Sequence, residues 1–266
     1  MNNYLSFTDF RRSTIQKILC FVLFLFLLLP AIPVQAERID YQGFLNHYDH
    51  LLAAYTGAVE HNGIDYIGVN YDAWAADSRY QAARDAFLNS DPADFNDPDA
   101  HKAYWINAYN FLVIDLIIQE AERDSIKNLG TPLFNPVWKK YEWRLGDSDY
   151  SLYQIEHEIL RPTGDARIHF AINCASLSCP DLRPESYRAD DLNEILDQQV
   201  KLALQNESKI FAIKDDKLYL SKVFKWFKED YADGDIKSWL KRFKPTLFLV
   251  DKKLAFMDYD WTLNKI

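Results

Sequence analysis

Asp97-Pro-Asp-Ala-His-Lys-Ala-Tyr-Trp-Ile-Asn-Ala-Tyr-Asn-Phe-Leu-Val-Ile-Asp-Leu-Ile-Ile118 opens with an aspartate that can cap a helix and a proline at the first helical position, then runs almost wholly apolar. A helix apolar all round is buried on every side, so this one is expected at the centre of the fold. Asn107, Asn110 and Asp115 interrupt its apolar surface. A buried amide or carboxylate needs partners, so each either braces a neighbouring segment or lines a pocket.

Working outward, Phe44, Leu45, Tyr48, Leu51, Leu52 and Tyr55 recur at spacings of three and four, a helical stripe over Tyr41 to Tyr55. Asn62-Gly63 between β-branched and aromatic residues marks a tight hairpin within Ala58 to Tyr71, and Asp72 to Asn89 returns to helical spacing. On the other side, Lys140 to Leu145 reads as a strand with a turn at Gly146-Asp147. Ser151 to Gln154 forms a capping box that opens a helix ending near Leu160, before Pro162 and Gly164. Asp190 to Gln205 is amphipathic, Asp215-Asp216 joins two short strands, and Ser221 caps a helix expected to run to Tyr231. A last helix over Asp235 to Phe243 and terminal strands within Leu247 to Met257 complete an α+β pattern: a helix-rich single domain with short antiparallel strands.

Ile18 to Leu29 is an unbroken apolar run, preceded by Arg11, Arg12 and Lys17 and followed by prolines and Val34-Gln35-Ala36. This fits a secretory signal over residues 1–36, too short for a comfortable membrane span, so the mature chain is expected to be exported, periplasmic or secreted, without a stable span. Without those residues 27 basic and 38 acidic side chains remain, a net charge of −11, which disfavours nucleic acid and anionic membranes as partners. Residues 37–266 show no Gly/Ser-rich linker, and the abundant aromatics, 16 Tyr, 17 Phe and 7 Trp in the whole chain, supply a core without a disulfide framework.

Arg167-Ile-His-Phe-Ala-Ile-Asn-Cys-Ala-Ser-Leu-Ser-Cys-Pro-Asp-Leu182 holds the two cysteines that would survive signal removal. Ile168, Phe170 and Ile172 alternate around His169 and Ala171, which reads as a buried strand running into a loop. Cys174 and Cys179 admit three readings. A disulfide between them fits an oxidising compartment, a turn bringing them into bridging range. A nucleophilic Cys174 needs an imidazole and a group to orient it. On an extended strand His169 would stand well over about 10 Å from Cys174, so His157, next to Glu156 on another element, competes with it as the base. A zinc site of His157, His169, Cys174 and Cys179 matches no standard spacing, and His47 with His50 lacks a third ligand. No phosphate-binding glycine loop, Gly-x-Ser-x-Gly elbow or His-Glu-x-x-His appears, and no cofactor or metal is expected.

Four stretches together resemble the family called domain of unknown function 547 (DUF547), found in secreted bacterial proteins and in larger plant proteins. They are Tyr104 to Asn110, Tyr150 to Arg161, Arg167 to Pro180 and Tyr259-Asp-Trp-Thr-Leu-Asn264. The resemblance implies that the residues matching His169 and Cys174 recur, while plant members often replace the one matching Cys179. Its activity is unassigned. The expected function is a cysteine-dependent hydrolase or acyl-transferase acting on a small molecule or peptide, compared by residue type with the papain and transglutaminase group. Cys174 would be the nucleophile, His169 or His157 the base, Glu156 or Asn107 its orienting partner, and backbone amides around Cys174 to Ser176 the oxyanion hole. The alternative is a non-catalytic binding or envelope-scaffold protein whose central loop is pinned by a Cys174–Cys179 disulfide.

Overall fold

The computed structural model describes residues 41–131, 136–245 and 252–266. The expected signal segment 1–36 therefore lies outside the described residues, as do residues 247–251 of the expected terminal strands. The described residues all fall in one compact unit, Ile39–Ile266.

Helix α1 (Tyr41–Tyr55) leads into strands β1 (Thr56–His61) and β2 (Ile64–Val69), which pair antiparallel across the turn Asn62-Gly63. Both turn residues have positive φ, 52° and 77°, the geometry that a two-residue hairpin demands and that asparagine and glycine tolerate. The helical pattern after the hairpin is broken into α2 (Tyr71–Ala76) and α3 (Ser78–Leu88). Asp77 makes the break by ending one helix and capping the other, its carboxylate accepting from the Arg79 amide.

Helix α4 (Pro98–Gln119) is the 22-residue centre of the fold, and Asp97 caps it by accepting from the amides of Asp99 and Ala100. Its residues from Ala103 to Ile117 are all buried. They anchor an apolar cluster that takes in Phe44, Trp74, Phe87 and Ile155 from the surrounding elements. The three polar interruptions are all satisfied, as burial requires. Asn107 exchanges two hydrogen bonds with the Tyr187 backbone, both 2.8 Å. Asn110 donates to Ala171 O and accepts from the Asn173 amide. Asp115 accepts from Tyr80 and Arg84.

Strands β3 (Glu142–Leu145) and β4 (Ser148–Ser151) pair antiparallel, and the capping box of Ser151 with Gln154 opens the following helix. From Ile155 to Leu160 that helix widens into a π-type turn before a 3-10 turn ends it at Gly164. Helix α5 (Leu192–Ala203) follows the central loop; β5 (Phe211–Lys214) and β6 (Lys217–Leu220) form the expected hairpin. Strand β7 (Lys253–Phe256) joins β6 in parallel, so the small sheets are not all antiparallel. The helix after Ser221 stops at Trp226, followed by short 3-10 turns. A second apolar cluster gathers Phe170, Val200, Leu220, Phe224, Tyr231 and Trp239.

The segment expected as a strand, Ile168 to Ile172, is a 3-10 helix over Ala166–Phe170 followed by a turn. Ile168, His169, Phe170, Ala171 and Ile172 are all buried, so the alternation of residue types says nothing about two faces. Asp165 decides the conformation, its carboxylate accepting from the Arg167 amide at 3.1 Å and from Arg167 Nε at 2.8 Å while its carbonyl accepts from the Ile168 amide. The chain therefore turns back at His169, and the separation inferred for an extended strand does not apply.

Candidate functional site

A cavity of about 330 Å³ opens where residues of the first apolar cluster meet Phe227 and its neighbours. Its polar wall is made by Glu156, His157, His169, Cys174 and Cys179, its aromatic wall by Tyr109, Trp138, Trp226, Phe227, Tyr259 and Trp261. Four of the five candidate residues read from the sequence thus face one space. Asn107 does not line it: both ends of its amide are bound to the Tyr187 backbone, with Tyr41 as a third partner at 3.1 Å. It braces a loop and is withdrawn as the group that orients the base.

Cys174 sits in a loop fixed by side chains. Asn173 Oδ1 accepts from the Ala175 amide at 2.8 Å, and Asn173 Nδ2 donates to Pro180 O at 2.7 Å. Ala175 is held in the left-handed region, φ 58°, a conformation that costs a non-glycine residue on the order of 1 kcal/mol and persists only where surroundings enforce it. The C-terminal segment enforces it, since Asn264 N donates to Ala175 O and Leu177 N to Thr262 O. The result is a cradle around one sulfur. Ser176 Oγ lies 3.2 Å from Cys174 Sγ, the Tyr259 hydroxyl 3.2 Å, and Cys179 Sγ 3.1 Å.

Burial pushes the Cys174 thiol up, but hydrogen bonds from Cys179, Ser176, Tyr259 and the Ser176 amide outweigh it, and the thiol is held below its ordinary value. Burial and the neighbouring Cys174 sulfur raise Cys179, which remains a thiol. Both cysteines are free. The same contacts occupy two of the amides expected to form the oxyanion hole: the Cys174 amide is spent on Cys179 Sγ at 3.0 Å and the Ala175 amide on Asn173.

The two histidines differ. His169 is buried, its ring stacked on Phe227 at 4.0 Å, and its Nε2 lies 2.8 Å from Asp230 Oδ2. Asp230 is gripped by Arg161 through two bonds of 2.7 and 2.8 Å. Burial raises the Asp230 carboxyl, yet Arg161 and His169 together keep it well below the usual carboxylate range. An ionised carboxylate at Nε2 fixes the proton there and leaves Nδ1 as a lone pair. That Nδ1 is buried without a hydrogen-bond partner. Burial lowers the His169 pKa, so the ring is neutral at neutral pH. His157, by contrast, has its Nδ1 2.9 Å from an Arg161 NH1 that can only donate. Burial and the Arg161 charge push it down to about 4, a poor base at neutral pH.

Glu156 belongs to the π-type turn, a distortion that recurs at functional sites. Desolvation, then the nearby Cys174 sulfur, raises its carboxyl to about 7, against a 3.4 Å hydrogen bond from the Tyr109 hydroxyl. It makes no hydrogen bond to either imidazole and lines the same cavity as the thiol. Among the described residues no group of three or more His, Cys, Asp or Glu is arranged to hold a metal ion, so the four-residue zinc set does not assemble.

Asp230 was invisible to sequence reading, because it lies 61 residues beyond His169 in an ordinary charged turn, Lys228-Glu-Asp230. Tyr109, Arg161, Ser176 and Tyr259 were findable, for each falls inside a stretch that carries the family resemblance.

Residues 93–202 match the model of the family described as "Protein of unknown function, DUF547". The match takes in α4, the π-type turn and the whole cysteine loop, while Asp230 and Tyr259 lie beyond it. No curated protein and no solved structure matches the chain.

Proposed function

Proceeding from a DUF547 domain, which prescribes no activity, we propose that the chain is a cysteine-dependent hydrolase or acyl-transferase acting at Cys174. The observation that carries the reading is the convergence of the Ser176 and Tyr259 hydroxyls and the Cys179 sulfur on Cys174 Sγ, in a cavity that His169 also lines. Such a sulfur is a stabilised thiolate, and the imidazole backed by an ionised carboxylate is the matching base.

Where Cys174 still carries its proton, His169, which Asp230 holds in the required tautomer, takes it as Cys174 Sγ attacks an acyl carbonyl. As the tetrahedral intermediate collapses, the leaving amine or alcohol takes that proton and a thioester remains on Cys174. Water or an acceptor alcohol or amine then attacks the thioester and frees the thiol. Donors for the developing oxyanion are the side-chain hydroxyls of Ser176 and Tyr259 in place of backbone amides. Trp138, Trp226 and Trp261 give the cavity an aromatic wall suited to a planar or apolar acyl group. The apolar run before residue 36 supports placing this activity in an exported protein.

Activated aryl esters test the reading. Incubation of the reduced protein is expected to leave an acyl mass on Cys174 that decays with ester turnover and vanishes in Cys174→Ser. Acylation confined to lysines, unchanged in that variant, leaves a non-catalytic binding cavity as the account of the site.

A further inference from the structure

Acyl transfer leaves the second sulfur of the cavity without a task. Cys179 is buried, its Sγ touches Cys174 Sγ at 3.1 Å and also accepts the Cys174 amide at 3.0 Å. A hydrolase gains little from a second thiol against its nucleophile, since a serine or small apolar residue would wall the sulfur equally well. For an oxidised nucleophile, however, an adjacent thiol is a reactant.

We propose that Cys174 and Cys179 form a two-thiol centre that reduces organic hydroperoxides, Cys174 attacking the peroxide and Cys179 resolving the product, with a soluble dithiol as the reductant. The inference shares the stabilised Cys174 thiolate with the reading above, but not its acyl chemistry.

In the first step the Cys174 thiolate attacks the outer oxygen of ROOH. A sulfur–oxygen bond forms as the oxygen–oxygen bond breaks; the sulfur loses two electrons, the peroxide gains them, and RO⁻ takes a proton from solvent to leave as ROH. Cys174 is now a sulfenic acid. In the second step Cys179 sulfur attacks the sulfenic sulfur, and hydroxide departs with the Cys179 proton as water. The dithiol then reopens the disulfide by thiol–disulfide exchange, returning two thiols and leaving as its own disulfide.

The geometry serves each step. Ser176 Oγ and the Tyr259 hydroxyl, 3.1 Å from each other and each 3.2 Å from Cys174 Sγ, can donate to the peroxide oxygens where they meet the sulfur. Cys179, kept as a thiol by burial and the neighbouring sulfur, brings the proton that water formation needs. Closing 3.1 Å to a sulfur–sulfur bond of about 2.0 Å is a side-chain movement, so the loop pinned by Asn173 need not unfold. The remaining space, about 330 Å³ walled by Trp138, Trp226, Phe227 and Trp261, suits a bulky apolar R group.

The test treats the reduced full chain with one equivalent of cumene hydroperoxide, quenches with dimedone and an alkylating agent, and maps the products by mass spectrometry. The expected wild-type product is a Cys174–Cys179 disulfide without dimedone, formed at least about tenfold faster than free cysteine is oxidised. Cys179→Ser is expected to carry dimedone on Cys174, and catalytic dithiothreitol turnover to cumyl alcohol is expected in the wild type only. Persistent dimedone labelling of wild-type Cys174 without disulfide, oxidation at the free-cysteine rate, or first oxidation at Cys179 would overturn the proposal. An acyl thioester on Cys174 in a protein that fails this test removes the peroxide chemistry alone, and the converse result removes the acyl chemistry alone.

Discussion

Asp115 and Asp230 are two carboxylates built on the same plan, each held by an arginine and a ring, yet one closes a network and the other leaves it open. Asp115 accepts from Tyr80 at 2.5 Å and from Arg84 at 2.9 Å, and Gln119 donates to the Tyr80 hydroxyl at 2.8 Å. Both bonds meet on Asp115 Oδ1, and the Tyr80 hydroxyl both donates and accepts. Asp230 takes two bonds from Arg161 and one from His169, but the imidazole carries one nitrogen through to the far side, buried and unpaired. A buried polar atom without a partner costs roughly 1–3 kcal/mol, so the fold tolerates at His169 what it avoids around Asp115. The difference separates a brace from a site.

The sharpest way to break the comparison is to exchange the consequences of the two deletions. Asp230→Asn is expected to slow Cys174-dependent ester turnover by about 10²–10⁴-fold, because an amide no longer fixes the His169 tautomer. Asp115→Ala leaves a buried tyrosine and an arginine without their acceptor and is expected to cost about 3 kcal/mol in urea unfolding, with Cys174 alkylation unchanged. A rate loss for Asp115→Ala equal to that for Asp230→Asn, measured on folded protein, contradicts the distinction.

Glu156 sharpens it through pH. Its folded carboxyl, about 7, lies above the unfolded value near 4.5, so the folded state binds the extra proton between those values and stability falls as pH rises through them. The loss is expected to be about 2 kcal/mol between pH 5 and 7, absent in Glu156→Gln, and visible as converging denaturation midpoints at pH 5. A wild-type midpoint that rises over that interval in step with the variant's removes Glu156 from the cavity's proton balance. The smallest effect belongs to Asn107→Ala, expected to cost about 1–2 kcal/mol through the orphaned Tyr187 backbone and to leave the ester turnover rate within about twofold.

The fold was legible where a local signal and a tertiary demand coincide. Asp97 and Pro98 fix the start of the central helix, Asn62-Gly63 the first hairpin, and Ser151 with Gln154 the capping box, each by hydrogen bonds made within a few residues. Ile168 to Ile172 misled because full burial erases the difference between faces, and the Asp165 cap that bends it gave no periodic signal. Within the site, residue types at Cys174, His169, His157 and Glu156 were readable, but their roles were not. Arg161 faces His157 Nδ1 from one helical turn away, while Asp230 reaches His169 and Asn107 turns to Tyr187 through contacts between distant parts of the chain.

Everything above turns on the Cys174 sulfur being a stabilised thiolate. The rate of iodoacetamide alkylation of the reduced protein across pH 5 to 10, with the modified residue identified by mass spectrometry, measures that directly. The account predicts Cys174 labelled first, with a titration midpoint below the ordinary thiol value near 8.5, moving upward in Tyr259→Phe as one donor is lost. Labelling of Cys179 ahead of Cys174, or a Cys174 midpoint at or above the ordinary value, would contradict it.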